Sequence, residues 1–102
     1  MTEVGDATGG RWSEQRARAA EGVLFRELEG EAVILSISGE SYFGLDEVGT
    51  RMWQVLGEAP TIQVAYETLL AEYDVAEDQL RHDLRELLDD LVARELIEIG
   101  DR

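Results

Sequence analysis

The 102-residue chain sets 23 Asp and Glu against 9 basic residues, for a net charge of −14. A chain of this length is one small domain, and so large an excess of acid opposes binding to nucleic-acid phosphates or anionic membranes, which are met with Lys and Arg. Cysteine is absent and all 9 basic residues are arginine, which excludes disulfides, zinc thiolates, thiol nucleophiles, Schiff bases and a phosphate-loop lysine.

Residues 1–21 are rich in Gly, Ala and charge and show no alternation. They read as a disordered N-terminal tail, with Trp12 its single aromatic and Arg11, Arg16 and Arg18 as groups that could touch a partner. The domain proper is expected over residues 22–102. Residues 22–28 (G-V-L-F-R-E-L) and 32–37 (A-V-I-L-S-I) have the β-branched and apolar content of strands. Residues 40–45 form a third candidate. Glu29-Gly30-Glu31 and Ser38-Gly39 separate the three, and a type I turn followed by a left-handed glycine is expected at each. Three strands joined by tight turns make an antiparallel meander.

Helices follow. Asp46 is placed to cap a helix over residues 47–56, with Gly57 expected as its C-cap. Pro60 lies in the linker, and Thr61 is the expected cap of a second helix whose stripe is Ile62, Ala65, Tyr66, Leu69, Leu70 and Tyr73. Asp74 and Glu77 have capping-box spacing. A third helix is expected over residues 75–94, with the stripe Leu80, Leu84, Leu87, Leu88 and Leu91. Leu96 to Ile99 reads as a short extended piece packing on the sheet. Strands first and helices second make an α+β domain, βββααα, with helices covering one sheet face. No apolar run approaches the roughly 20 residues of a membrane span, and the N-terminus lacks a signal-peptide core, so the cytoplasm is the expected location.

No residue pattern points to catalysis. His82 stands alone between Arg81 and Asp83, a poor metal site. Asp89, Asp90 and Glu86 read as a solvated helix face. Ser36, Ser38 and Ser41 lack a base, and the glycines at 39, 44 and 49 form no phosphate loop. Trp53, Tyr66 and Tyr73 read as core aromatics. No catalytic residue, metal or cofactor is expected.

The functional signal lies in the third strand. Tyr42 and Phe43 are adjacent, so they point to opposite faces and one of them stays outside the core. In a meander this strand is an edge, yet residues 41–45 carry neither charge nor proline to protect it. A free edge can accept an extended peptide as an added strand, unless the N-terminal tail or Leu96 to Ile99 covers it.

The meander, the run Y-F-G-L-D-E-V-G-T-R-M-W-Q-V-L, the later E-Y-D-V and the closing L-V-A-R-E-L-I-E resemble the PqqD family over about residues 22–99. Tyr42, Leu45, Asp46, Gly49, Trp53, Leu56, Leu96 and Ile97 carry the resemblance, with Asp46 where many members have Asn. The resemblance implies a small winged-helix-like domain that acts as a peptide chaperone. Such a domain holds the leader segment of a ribosomally made precursor peptide and presents its core to a modifying enzyme.

Carried onto this chain, the leader would add as a strand to Ser41, Tyr42, Phe43, Gly44 and Leu45. Leu80, Arg81, Leu84, Arg85 and Leu88 would form the groove wall on the last helix, Leu84 and Leu88 receiving apolar leader side chains and Arg81 and Arg85 pairing with acidic ones. The modifying enzyme would be of the radical SAM type or a leader-cleaving peptidase. The long tail and the Y-F-G-L-D-E-V-G-T run resemble lasso-peptide members more closely. The alternatives are a winged-helix DNA-binding regulator, reading DNA with Arg81, Arg85 and Arg94, and a structural module that forms a homodimer through its free edge.

Overall fold

The computed structural model describes residues 10–37 and 41–101. A short 3-10 helix, Gly10–Glu14, leads into β1 (Gln15–Ala19). The meander follows as β2 (Val23–Leu28), β3 (Glu31–Ser36) and β4 (Ser41–Leu45). Three helices come next, α1 (Glu47–Glu58), α2 (Ile62–Glu72) and α3 (Glu77–Ala93), and β5 (Ile97–Asp101) ends the described chain. The three-stranded antiparallel sheet followed by three helices is the winged-helix-like α+β class expected from the sequence.

Alternation sorts the meander into two faces. Phe25, Ile34 and Phe43 lie side by side in register, as do Leu24, Leu35 and Tyr42 on the other face. Ala32, Ile34 and Leu45 are buried, and Val23, Phe25 and Phe43 pack against the same core. Phe25 also stacks on Trp53 of α1, ring centroids 5.9 Å apart and nearly parallel at 7°. Tyr42 is 66% exposed, so of the two adjacent aromatics Phe43 is the inward one. The helical stripes meet this face, with Ile62, Leu69, Leu84 and Leu91 fully enclosed.

Residues 10–21 do not form the expected tail. β1 pairs antiparallel with β5 from Gln15↔Asp101 to Ala19↔Ile97, making a second, two-stranded sheet. The Ala20 amide extends the pairing by donating to the Leu96 carbonyl at 3.0 Å. Trp12 is 4% exposed and lies against Tyr66, with ring centroids 5.8 Å apart. The sequence Q-R-A-R-A hides this strand because its single inward residue is Ala17, too small to register as a hydrophobic pattern. Gly22, at a φ of +82°, makes the turn into β2, and the Val23 amide closes it on the Ala20 carbonyl. The remainder of the tail, residues 1–9, lies outside the described residues. β5 is not laid on the meander, as expected for residues 96–99, but runs beside β1.

Local signals also differ from expectation. The β2–β3 connection is a two-residue turn, Glu29-Gly30, between paired Leu28 and Glu31, and both turn residues have positive φ (57° and 87°). That is the mirror-image turn whose twist matches a hairpin, in place of the expected type I turn with a bulge. The Ser38-Gly39 turn lies outside the described residues. α1 runs through Gly57 and ends at Ala59, in extended conformation. Pro60 accounts for this, because its ring disfavours helical backbone in the preceding residue. Thr61 does cap α2, its hydroxyl accepting from the Val64 amide at 3.1 Å. The capping box at Asp74 and Glu77 is not formed. The cap position of α3 is Ala76, without a side-chain bond, and Glu77 and Asp78 stand in the first turn, where the helix dipole favours negative charge.

The C-terminal end of α3 aims β5. The Leu96 amide donates to the Leu91 carbonyl and the Glu95 amide to the Val92 carbonyl, both at 2.9 Å, a Schellman arrangement. Leu91 and Leu96 are both fully enclosed, which supplies the motif's apolar contact. Its left-handed position is held by Glu95 at a φ of 61°, where glycine is the usual residue. On the outer surface of the helices, Arg51 of α1 grips Glu72 of α2 through two donors, at 2.9 and 2.6 Å. This hydrogen-bonded pair holds the Glu72 carboxyl below the usual carboxylate range.

Glu95→Gly relieves the left-handed backbone and is expected to raise unfolding free energy by about 0.5 to 1 kcal/mol in urea titration. Trp12→Ala is expected to lower it by about 3 to 5 kcal/mol, the cost of emptying an enclosed aromatic site. A change within experimental error would return Trp12 to a tail outside the core.

Candidate functional site

β4 pairs with β3 along one side and, among the described residues, with no strand along the other. β1 and β5, the segments that could have covered it, pair with each other instead. The opposite edge of the sheet, β2, carries Arg26 and Glu27, with Glu29 in the turn that follows, the kind of charge that discourages strand addition. β4 reads Ser-Tyr-Phe-Gly-Leu and carries none. A Cβ built on Gly44 would meet nothing within 4 Å, so backbone there is openly approachable.

The strand is fixed at its C-terminal end by the junction with α1. The Asp46 carboxylate accepts from the Gly49 amide at 2.8 Å, and the Asp46 carbonyl accepts the first helical bond, from Thr50, also at 2.8 Å. The N-cap expected from the sequence is therefore formed. Gly49 is tightly enclosed, since a Cβ there would lie 3.1 Å from the Leu45 side chain. Strand and helix are thus held at one angle by a cap on one side and a close approach on the other.

Across from this junction stands α3. A cleft of about 400 Å³ lies between them. Its junction side is Asp46, Val48, Gly49 and Met52, and its α3 side is Asp83, Glu86, Leu87 and Asp90. Further along, the Arg94 guanidinium sits 5.1 Å from the centre of the Phe43 ring. At 100° per residue, positions 83, 86, 87, 90 and 94 share one flank of α3. That flank faces the strand-to-helix junction and the start of α1, and Arg94 at its end reaches β4 through Phe43.

The residues expected from the sequence divide accordingly. Ser41, Tyr42, Phe43, Gly44 and Leu45 are the open strand. Leu80, Leu84 and Leu88 do not form a groove wall, being 3%, 0% and 3% exposed and part of the core. Arg81 lies on the opposite flank, its guanidinium 4.5 Å from the centre of the Tyr66 ring and 5.2 Å from that of Trp12. Arg85, one turn on, is half-buried on that same flank, with its Nε enclosed and without a hydrogen-bond partner. The leucine stripe has two flanks, and sequence spacing alone does not say which one meets the sheet edge. Val48, Met52, Leu87 and the carboxylates of Asp83, Glu86 and Asp90 went unnoticed as cleft residues. The signal for them was the register of α3 against the Arg94–Phe43 contact. His82, Asp83 and Glu86 have ligand atoms within 4.8 Å of one another, but all three are exposed, and His82 and Glu86 form an ordinary i,i+4 pair at 3.2 Å.

No helix among the described residues is long and apolar enough to cross a membrane. Residues 31–97 match the family described as Coenzyme PQQ synthesis protein D (PqqD). The solved structure of TbiB1 in complex with the TbiA(beta) leader peptide is similar to this chain. It is 34% identical, with a TM-score of 0.71, over 79% of this chain and 94% of that one. No curated protein matches the chain.

Asp46→Ala is expected to cost about 1 kcal/mol of stability in urea unfolding and Asp46→Asn only a few tenths, because Asn can still accept from the Gly49 amide. Equal losses for the two would show that the cap does not hold the junction.

Proposed function

The chain belongs to the PqqD family, and from that premise we propose that it is a non-catalytic recognition element for the leader segment of a ribosomally made precursor peptide. The leader adds as a fourth strand to the meander, along Ser41 to Leu45. Its main-chain N–H and C=O groups pair with those β4 leaves unpaired, and side chains on its α3 side enter the cleft. Leu87 and Val48 are the apolar surface available to them there, above buried Met52. The bound precursor is then presented to a modifying enzyme, a leader peptidase or a radical SAM type, in the cytoplasm.

The observation that carries this reading is the unprotected, unpaired outer edge of β4 beside a cleft, in a fold whose solved relative was captured with a leader peptide. The regulator alternative has no comparable support. Arg81 is occupied by two aromatic rings and Arg94 by a third, and the exposed flank of α3 toward β4 is acidic. A DNA-reading helix needs basic side chains free to reach phosphates and bases.

The test is a fluorescence-polarisation titration with a labelled leader from the precursor peptide encoded beside the gene. Saturable binding is expected. Ser41→Pro and Tyr42→Pro each delete one backbone donor, at alternating registers. At whichever position the amide points outward, affinity is expected to fall by about tenfold, as loss of a main-chain bond requires, with helix content by circular dichroism unchanged. Full affinity in both variants would remove strand addition.

A further inference from the structure

The α3 side of the cleft is a row of carboxylates that no arginine among the described residues pairs with, and we infer that the leader accepted along β4 carries arginine or lysine side chains facing that row. The inference rests on the leader-recognition reading and adds the chemistry of the ligand. It also reverses the leader charge that a groove wall of Arg81 and Arg85 implies.

Asp83, Glu86 and Asp90 follow one another at i, i+3 and i+7, all exposed, on the flank of α3 that faces the strand-to-helix junction. Like charges at these spacings repel on a helix surface. Among the described residues, none of the three is paired with an arginine. Asp83 accepts from the neutral Gln79 side chain at 2.9 Å, Glu86 has His82 at 3.2 Å, and the Asp90 side chain has no partner among the described residues. Asp46 adds a fourth carboxylate from the opposite wall, although one of its oxygens is committed to the Gly49 amide. Of the nearby arginines, Arg81 and Arg85 lie on the far flank of α3, and Arg94, just past its end on the same flank as the carboxylates, rests against Phe43.

The arrangement also sets a polarity along the strand. Arg94 lies beside Phe43, in the middle of β4, whereas the carboxylates line the cleft with Asp46 and the start of α1, beyond the Leu45 end of the strand. Basic leader side chains therefore belong near Leu45 and Asp46, and an apolar or acidic one belongs opposite Phe43. Between exposed charges such complementarity acts over about 10 Å and weakens with salt, and it raises association rate and specificity more than it raises affinity.

The probe is a randomised dodecapeptide library displayed on phage and selected on the full chain, with the recovered sequences synthesised and measured. Recovered peptides are expected to be rich in Arg and Lys and to lose binding in one of the two edge-proline variants. The triple variant Asp83→Lys, Glu86→Lys, Asp90→Lys is expected to bind them roughly tenfold or more weakly at low ionic strength, with the difference shrinking at high salt. Asp89→Lys, outside the cleft, is expected to leave affinity within about twofold, as isolated surface charges do. Peptides that depend on the β4 edge but are neutral or acidic, and bind the triple variant as tightly as the parent, would overturn the charge inference and leave leader recognition standing. Peptides insensitive to both edge prolines would overturn leader recognition by strand addition and this inference with it.

Discussion

Antiparallel pairing between β1 and β5 is the constraint on which the rest of this protein depends. It joins the two ends of the described chain, so their backbone donors and acceptors satisfy one another and neither end covers β4. The same pairing draws Trp12 under Tyr66 and places Ala17 and Ile97 in the core. A sheet edge of five residues with no charge and no proline is ordinarily a hazard for association. Among the described residues it remains open because β1 and β5 are held against each other, while β2, the other edge, carries charges that β4 lacks.

α3 is one helix with three separate duties, distributed around its axis. The leucine stripe is consumed by the core. The flank with Arg81 leans on Trp12 and Tyr66, so a cation there stabilises the attachment of the N-terminal segment through ring faces. The remaining flank, with Asp83, Glu86, Leu87 and Asp90, is the part of the helix that borders the cleft at the strand-to-helix junction. A net charge of −14 gives no indication by itself of where such a surface lies. The distribution around α3 does, because one arm of the acid is unpaired and borders a concavity, while Glu72 is gripped by Arg51 on the helical surface.

Much of this was legible in the sequence. Alternation in V-L-F-R-E-L and A-V-I-L-S-I, the spacing of Ile62 to Tyr73, and the leucines of the last helix all report burial directly, because a residue's face follows from its position in a repeat of two or 3.6. Asp46 and Thr61 were legible as caps because the bonds they make are local. Tyr42 and Phe43 were bound to part company for the same reason. Less local signals misled. The spacing of Asp74 and Glu77 satisfies a capping box, but the cap falls at Ala76, two residues past Asp74, and Glu77 becomes the first helical residue. Gly57 suits a helix end, but the stop is imposed by Pro60.

What the sequence by itself determined is therefore the set of elements, their order and the existence of one unprotected strand, since each of these depends on neighbours within a few residues. Only the tertiary structure decided which segments pair at a distance and which flank of α3 faces the open edge. Those outcomes depend on packing between residues as far apart as Ala17 and Ile99, or Phe43 and Arg94, and a repeating pattern contains no information about them. The stripe of leucines fixes that α3 is buried on one side. The contact of Arg94 with Phe43 fixes the rotation of its remaining surface, and with it the charge presented at the strand-to-helix junction.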